Sequence, residues 1–164
     1  MVKFLYLIRH AQAEEYAKSG KDFDRALTAK GKADAMLIGE KLREMNISPQ
    51  HLVTSPALRA FQTAELICDG LGLKKLEMES DKRIYDASPA DLLEVINEQD
   101  EQYKSVALFG HNPGFYEIAN MLGDSELHNF PKTGVVALAF SVSWKKIAPN
   151  TGMLQFFISP RQYT

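Results

Sequence analysis

The chain of 164 residues contains one cysteine, Cys68, and one tryptophan. A lone thiol cannot close an internal disulfide, so a disulfide-stapled secreted scaffold is excluded and a reducing compartment is the natural setting. No apolar stretch approaches the roughly 20 residues of a membrane span. The first apolar run, Phe4 to Ile8, is cut off by Arg9 and His10, short of the roughly 7–15 residues of a secretory signal. A cytoplasmic protein with no targeting segment and no membrane contact is expected. Charge of one sign is not in excess either: 19 Lys and Arg stand against 21 Asp and Glu, a net of −2. A nucleic-acid-coating surface is therefore not expected. His, Cys and carboxylate residues show no tight ligand spacing such as His-x-x-x-His, so neither a metal nor another cofactor is expected. There is no internal repeat, low-complexity tract or linker. What is present, 45% hydrophobic and 24% charged residues, suits one globular domain over residues 1–164, expected to be a monomer.

The apolar pattern alternates between short runs and helical stripes. Residues 4–8 read as a strand buried on both faces. A polar loop follows from Glu14 to Arg25. Thr28 is placed to cap a helix running to about Met45, with Ala35, Ile38, Leu42 and Met45 on its buried stripe. Leu52-Val53 is a short strand. Ser55-Pro56 is a helix start, serine as cap and proline in the first turn, with Phe61, Ala64, Cys68 and Leu71 facing inward. Gly70 and Gly72 mark its exit. Residues 74–79 are a weak third strand, and Ser88-Pro89 opens a helix carrying Leu92, Leu93 and Ile96. Val106 to Phe109 is a strand. Asn112-Pro113 opens a helix with Phe115, Ile118, Ala119 and Leu122, closed by Gly123. Val135–Val142 and Leu154–Ile158 are late strands, antiparallel to each other. Strands alternating with helices predict an α/β three-layer sandwich with a mostly parallel central sheet and helices on both faces.

Open α/β sheets bind ligands at the carboxyl ends of their strands. Arg9 and His10 follow the first strand, Ser55 and Arg59 the second, and His111 and Asn112 the fourth. Two arginines and two histidines thus reach one edge, joined by two helix N-termini with partial positive charge. Such a cluster suits a dianion, and phosphate is the obvious candidate. Guanidinium groups match phosphate oxygens in bidentate fashion. A neutral imidazole can attack phosphorus, and flanking arginines hold its pKa down.

These residues carry a resemblance. Leu7-Ile8-Arg9-His10-Ala11-Gln12-Ala13 resembles the signature of the histidine phosphatase superfamily, with alanine where glycine usually follows the histidine. Arg-His-Ala-x-Ala is similar to the small phosphohistidine phosphatase branch typified by SixA, with its phosphoglycerate mutase-like fold. Asp24 to Gly31, Ser55 to Ala64 and Val106 to Pro113 resemble further motifs of that branch, in order, over roughly residues 4–122. The resemblance implies that His10 is the nucleophile that becomes phosphorylated, that Arg9 and Arg59 clamp the phosphoryl oxygens, and that His111 donates to one of them. Ser55, Gln12 and Asn112 are candidate substrate contacts, with Ser55 and Asn112 read first as helix caps. Larger relatives supply a carboxylic acid from the loop after the third strand. Asp86 falls at about that place, within Arg83-Ile84-Tyr85-Asp86-Ala87-Ser88, but the longer acid motif of the mutase-like branch is missing.

An alkoxide leaving group needs a proton from the enzyme, whereas the P–N bond of phosphohistidine breaks far more easily. The expected activity is therefore metal-independent removal of phosphate from phosphohistidine in a protein. Candidate partners are phosphate and a phosphorylated protein, a histidine-containing phosphotransfer protein among them. Two other readings stand beside it: hydrolysis of small phosphomonoesters with Asp86 as general acid, and a phosphate- or phosphoprotein-binding module that does not turn over. Asp24 and Arg25 are expected to order the first loop. His51 is expected to be structural and His128 a surface residue. Met36, Met45 and Met121 read as core or core-edge packing, and Cys68 as buried and inert. Segments 11–24 and 123–134 are the expected rims of an open, shallow pocket.

Overall fold

The computed structural model describes residues 1–73 and 78–164. Among the described residues six strands form one sheet in the order β3-β2-β4-β1-β5-β6: β1 Lys3–Arg9, β2 His51–Thr54, β3 Met78–Ser80, β4 Ser105–Gly110, β5 Val135–Phe140 and β6 Gly152–Ile158. The pairs β1–β4, β4–β2 and β2–β3 are parallel. β5 is antiparallel to both β1 and β6, so it alone runs against the rest. Four helices cover the sheet: α1 Ala29–Glu44, α2 Leu58–Leu71, α3 Pro89–Asn97 and α4 Gly114–Leu122.

The period of two along each strand divides the core between the faces. Leu5, Leu7, Val106, Leu108, Val136 and Leu138 point to the side covered by α3 and α4. Tyr6, Ile8, Ala107, Phe109, Val135 and Ala137 point to the side covered by α1 and α2. Continuous apolar runs without polar alternation are what a sheet buried on both faces requires. Each fully buried aliphatic or Phe side chain contributes about 1.5–3 kcal/mol of transfer free energy.

The caps explain the helix limits. Thr28 Oγ1 accepts from Gly31 N at 3.0 Å at the start of α1. Ser88 and Asp91 form a reciprocal capping box at α3. Gly72, at φ 72°, ends α2 in the left-handed conformation. Several expectations shift. Asn46, at φ 61°, breaks α1 before Met45 can join the stripe, and Met45 is exposed. α2 starts at Leu58, not at Pro56: Ala57 is the cap residue, and Ser55 Oγ is shared between Ala57 N and His111 Nε2. Ala64, Cys68 and Leu71 face inward as expected, whereas Phe61 is only half-buried and Ala60, Thr63 and Ile67 complete the buried face. β5 stops at Phe140, before a turn of 3-10 helix that buries Trp144, whose Nε1 donates to Tyr103 O at 2.8 Å. Of the expected third strand, Met78 onward is found, and its residues 74–77 lie outside the described residues. No helix among the described residues is long and apolar enough to cross a membrane.

α1 and α2 cross at two glycines. A Cβ on Gly39 would lie 2.5 Å from Ile67 O, and one on Gly70 would lie 2.6 Å from Met36 O. Backbone therefore packs on backbone, which fixes α2 and the Arg59 it carries. Gly70→Ala gains about 1 kcal/mol of helix propensity. It forces the helices apart at a cost of about 1–3 kcal/mol, and the larger figure applies where backbone must move. We expect a net loss of about 1–2 kcal/mol in a urea unfolding series; an unchanged or raised midpoint would contradict this contact.

Candidate active site

The chain leaves β1 toward α1 on one face and leaves β4 toward α4 on the other. These two strands are neighbours, so a crevice opens at their carboxyl ends. Arg9 is in register with Gly110, and His10 N donates to Gly110 O at 3.0 Å. That pairing sets His10 beside His111, with ring centroids 5.2 Å apart. Parallel β2, next to β4, delivers Ser55, whose N donates to Phe109 O at 2.9 Å. The first turn of α2 adds Arg59. His10, Arg59 and His111 are all buried, with 7%, 7% and 9% of their surfaces exposed.

Each side chain is held from behind. His10 Nδ1 lies 2.7 Å from Ala11 O. A carbonyl can only accept, so Nδ1 carries the proton and Nε2 keeps a free lone pair. Ala11 N donates to Thr63 Oγ1 at 2.9 Å, and Thr63 Oγ1 donates to Arg59 O at 2.7 Å. One hydroxyl thus links the residue after His10 to the turn that carries Arg59. His111 Nε2 lies 2.8 Å from Ser55 Oγ, which also accepts from Ala57 N at 3.2 Å. The serine hydroxyl thus ties His111 Nε2 to the start of α2, and His111 Nδ1 is left facing the cluster without a partner among the described residues. Arg9 Nη1 donates to Phe130 O at 3.0 Å. Arg59 donates through Nη1 to Asp22 O at 3.0 Å and through Nη2 to Asp22 Oδ2 at 3.1 Å.

The electrostatics keep the imidazoles neutral. Burial above all, then the charges of Arg59 and Arg9, lowers His10 from 6.5 to about 4, against the opposing bond to Ala11 O. Burial, then His10 and Arg59, lowers His111 to about 3. Asp22 is held far below the usual carboxylate range by Arg25, then by the Tyr85 hydroxyl and Arg59. It is a fixed anion at neutral pH. Three buried nitrogens of this cluster have no hydrogen-bond partner among the described residues: Arg9 Nε, Arg59 Nε and His111 Nδ1. Buried polar nitrogens left unpaired are costly. A tetrahedral oxyanion accepts from several donors at once, and this donor set suits one. No group of three or more His, Cys, Asp or Glu that could hold a metal is found among the described residues.

The structure thus brings Arg9, His10, Arg59, His111 and Ser55 together. Ser55 is fully buried and reaches the crevice through His111. Asn112 does not precede its helix directly, since Pro113 is the cap residue. Its Oδ1 still accepts from Tyr116 N at 3.2 Å, and its Nδ2 donates to Phe130 O at 2.9 Å. Gln12 lies on the rim, accepting from Thr28 Oγ1 at 2.8 Å. Asp86 is exposed, at φ 55°, and makes no hydrogen bond or ion pair among the described residues. Asp24 and Arg25 do order the first loop, through Ser19 and Asp22. His51 stacks on Tyr103 and bonds Glu79, and His128 is exposed. Cys68 is buried, its thiol pushed up to about 11 by burial and then by Asp69 and Glu65.

Sequence reading missed four contributors. Asp22 and Tyr85 come from two loops and bond to each other at 2.8 Å, with the Tyr85 ring edge-on to His111 at 5.5 Å. Thr63 looked like an ordinary helix residue. Thr133 sits at φ 61°, unusual for a β-branched residue, and its N donates to both Arg9 O and His10 O at 3.1 Å. None of these has a local sequence signal, because each acts through a partner far along the chain.

A doubly wound sheet with paired histidines and arginines at the ends of β1, β4 and α2 defines a phosphatase of the phosphoglycerate mutase-like fold. The chain belongs to the histidine phosphatase superfamily (branch 1), whose sequence profile matches residues 5–126. An uncharacterised protein of Picosynechococcus is 29% identical over 143 residues, covering 82% of this chain and 83% of its own. The structure of a candidate phosphohistidine phosphatase SixA from Agrobacterium tumefaciens matches with a TM-score of 0.80 at 29% identity, over 96% of this chain and 98% of its own. The protein histidine phosphatase SixA complexed with tungstate matches in fold, with a TM-score of 0.81 at 22% identity over 98% and 99%.

Because both imidazoles are lowered from 6.5, the unfolded chain binds protons that the folded chain refuses. Stability is therefore expected to fall as pH drops from about 6.5 toward 4, and to lose no more to these groups below about 3. Urea midpoints at stepped pH check this. The double variant His10→Gln/His111→Gln should flatten the slope, and an unchanged slope would count against buried neutral imidazoles.

Proposed function

We propose that the protein is a metal-independent phosphatase that removes phosphate from phosphohistidine in a protein, through a phospho-His10 intermediate. The observation that carries this reading is the free Nε2 of His10 beside three unpaired buried nitrogens, Arg9 Nε, Arg59 Nε and His111 Nδ1. In the first step His10 Nε2 attacks phosphorus and the P–N bond breaks, its electron pair returning to the substrate imidazole, which carries a proton on its other nitrogen and leaves neutral. Negative charge spreads over three equatorial oxygens in the transition state, where fixed donors stabilise it most. Arg9, Arg59 and His111 are the donors. Ser55 positions His111, while Thr63 and Asp22 position Arg59. Water then attacks phospho-His10 and releases inorganic phosphate. Gln12 belongs to the rim, and Asn112 braces Phe130 and the start of α4.

The substrate class follows from the leaving group. Asp22 is ionised and engaged by Arg59, and Asp86 is exposed without a partner. Asp22 holds no proton to give and Asp86 is not buried at the clamp, so neither is placed as an acid for an alkoxide. The labile P–N bond of phosphohistidine makes the least demand on such an acid. The SixA likeness supports the same choice, and the lone buried thiol of Cys68 supports a cytoplasmic setting.

The test is hydrolysis of an aryl phosphate and a phosphohistidine-bearing carrier protein, side by side with chelator present. Both should turn over, and radiolabelled protein should carry an acid-labile, alkali-stable phosphoryl group. His10→Ala should never label and should lose at least about 10³-fold in kcat. Wild-type rates in that variant would refute the mechanism, and turnover of neither substrate would favour a binding module. Asp86→Asn separates the remaining reading. With Asp86 as general acid, alkyl phosphate hydrolysis would drop about 10²-fold or more; we expect phosphohistidine turnover to stay within about twofold of wild type.

A further inference from the structure

Beside the phosphate clamp the surface opens into a groove of about 620 Å³, which begins at Arg9 and Gln12 and runs to Arg161. A single phosphoryl group needs only a small part of that volume. The groove walls carry Lys30, Lys132 and Arg161 in addition to Arg9, with Asp34 as the one acidic side chain among the described residues. Asp34 is itself engaged by Lys30 at 2.8 Å. Lys132 and Arg161 are exposed and have no ion-pair partner among the described residues. In a chain of net charge −2 this is a local excess of positive charge.

The placement of Lys30 is informative. It lies in the first turn of α1, which holds no acidic residue. A cation there opposes the helix dipole, and a lysine preceding its acidic partner is the weaker orientation of an i,i+4 pair. The helix dipole therefore does not favour Lys30 at that place. The other two cations come from the loop before β5 and the turn after β6, so three separate elements point charge into one groove. Cations spread along a groove suit several separated carboxylates better than one compact dianion. Phe157, Pro131 and Pro160 add apolar surface on which a peptide can lie.

We propose that this groove seats the acidic flank of the phosphoprotein substrate, with carboxylates on Lys30, Lys132 and Arg161 while the phosphoryl group occupies the clamp. This deepens the proposed function and rests on it for the identity of the bound protein. Complementary charge of this kind governs partner choice and encounter rate, and it is screened by salt.

The experiment uses the full chain and three probes: 4-nitrophenyl phosphate, a phosphohistidine peptide flanked by Asp and Glu, and the same peptide flanked by Gln and Ser. The two peptides in unphosphorylated form are also bound in fluorescence anisotropy. The acidic peptide should show a KM about five- to tenfold lower than the neutral one at low salt. Its unphosphorylated form should bind more tightly by a similar factor. Lys30→Glu/Arg161→Glu should abolish both preferences and leave 4-nitrophenyl phosphate turnover unchanged. Equal KM values in the wild type, or a preference that survives in the double variant, would overturn the proposal. An equal loss on 4-nitrophenyl phosphate would also overturn it, because the two cations would then act on the clamp. If neither phosphohistidine peptide is hydrolysed but the anisotropy preference persists and vanishes in the double variant, the groove stands and the phosphohistidine reading falls.

Discussion

Concentrated positive charge under cover is the constraint around which this molecule is arranged. Two guanidinium groups and two imidazoles share the end of one crevice, and three of the four residues expose less than a tenth of their surface. Like charges a few ångströms apart repel by about 4 kcal/mol even at an effective dielectric of 20. The fold lowers this repulsion in two ways. Burial keeps both imidazoles uncharged, so only the arginines contribute full charge. Asp22 then neutralises Arg59, while the Phe130 carbonyl faces Arg9. The nitrogens left without a partner are costly to bury, and the same nitrogens are what would favour an anion at this place.

The sheet and the helix contact make this arrangement rigid. Pairing of β1 with β4 fixes the separation of the two histidines before any side chain is considered. The glycine crossing of α1 and α2 fixes the height of Arg59. Thr63 and Ser55 then set orientation through hydroxyl groups that are fully buried and fully engaged. Precision comes from short covalent and hydrogen-bonded paths, with few rotatable bonds between one active side chain and the next.

Much of this was readable along the chain. Apolar runs such as Leu5–Ile8 and Val106–Phe109 mark doubly buried strands because a sheet covered on both faces admits no polar alternation. Arg9, His10 and His111 follow such runs at once, so their position at the sheet edge needed only the topology rule. Element limits were less accessible. Ser55 Oγ, just before α2, is shared between Ala57 N and His111 Nε2, the latter from 56 residues away. Serine before proline reads as a cap until that partner is known. Met45 left its stripe because Asn46 takes a left-handed turn, a choice that local pattern does not fix. Asp22 and Tyr85 were invisible for a related reason. They lie in polar loops and acquire a role only where Arg59 and His111 meet them.

The segment Phe130–Gly134 supports both histidine strands. Phe130 O accepts from Arg9 and Asn112, Thr133 N serves Arg9 O and His10 O, and Gly134 O accepts from Arg9 N. Five consecutive residues therefore act as a brace between the start of α4 and the end of β1. Ahead of it Asp124 is tied to Leu154 N and Leu127 to Asn120, while Ser125 and Glu126 between them are exposed. Chain length can thus change at 125–126 without moving the brace, whereas one residue added within 130–134 would shift the carbonyls that hold Arg9. A protein built on this frame can enlarge its surface by growing a loop at 125–126, and the crevice beneath would keep its geometry.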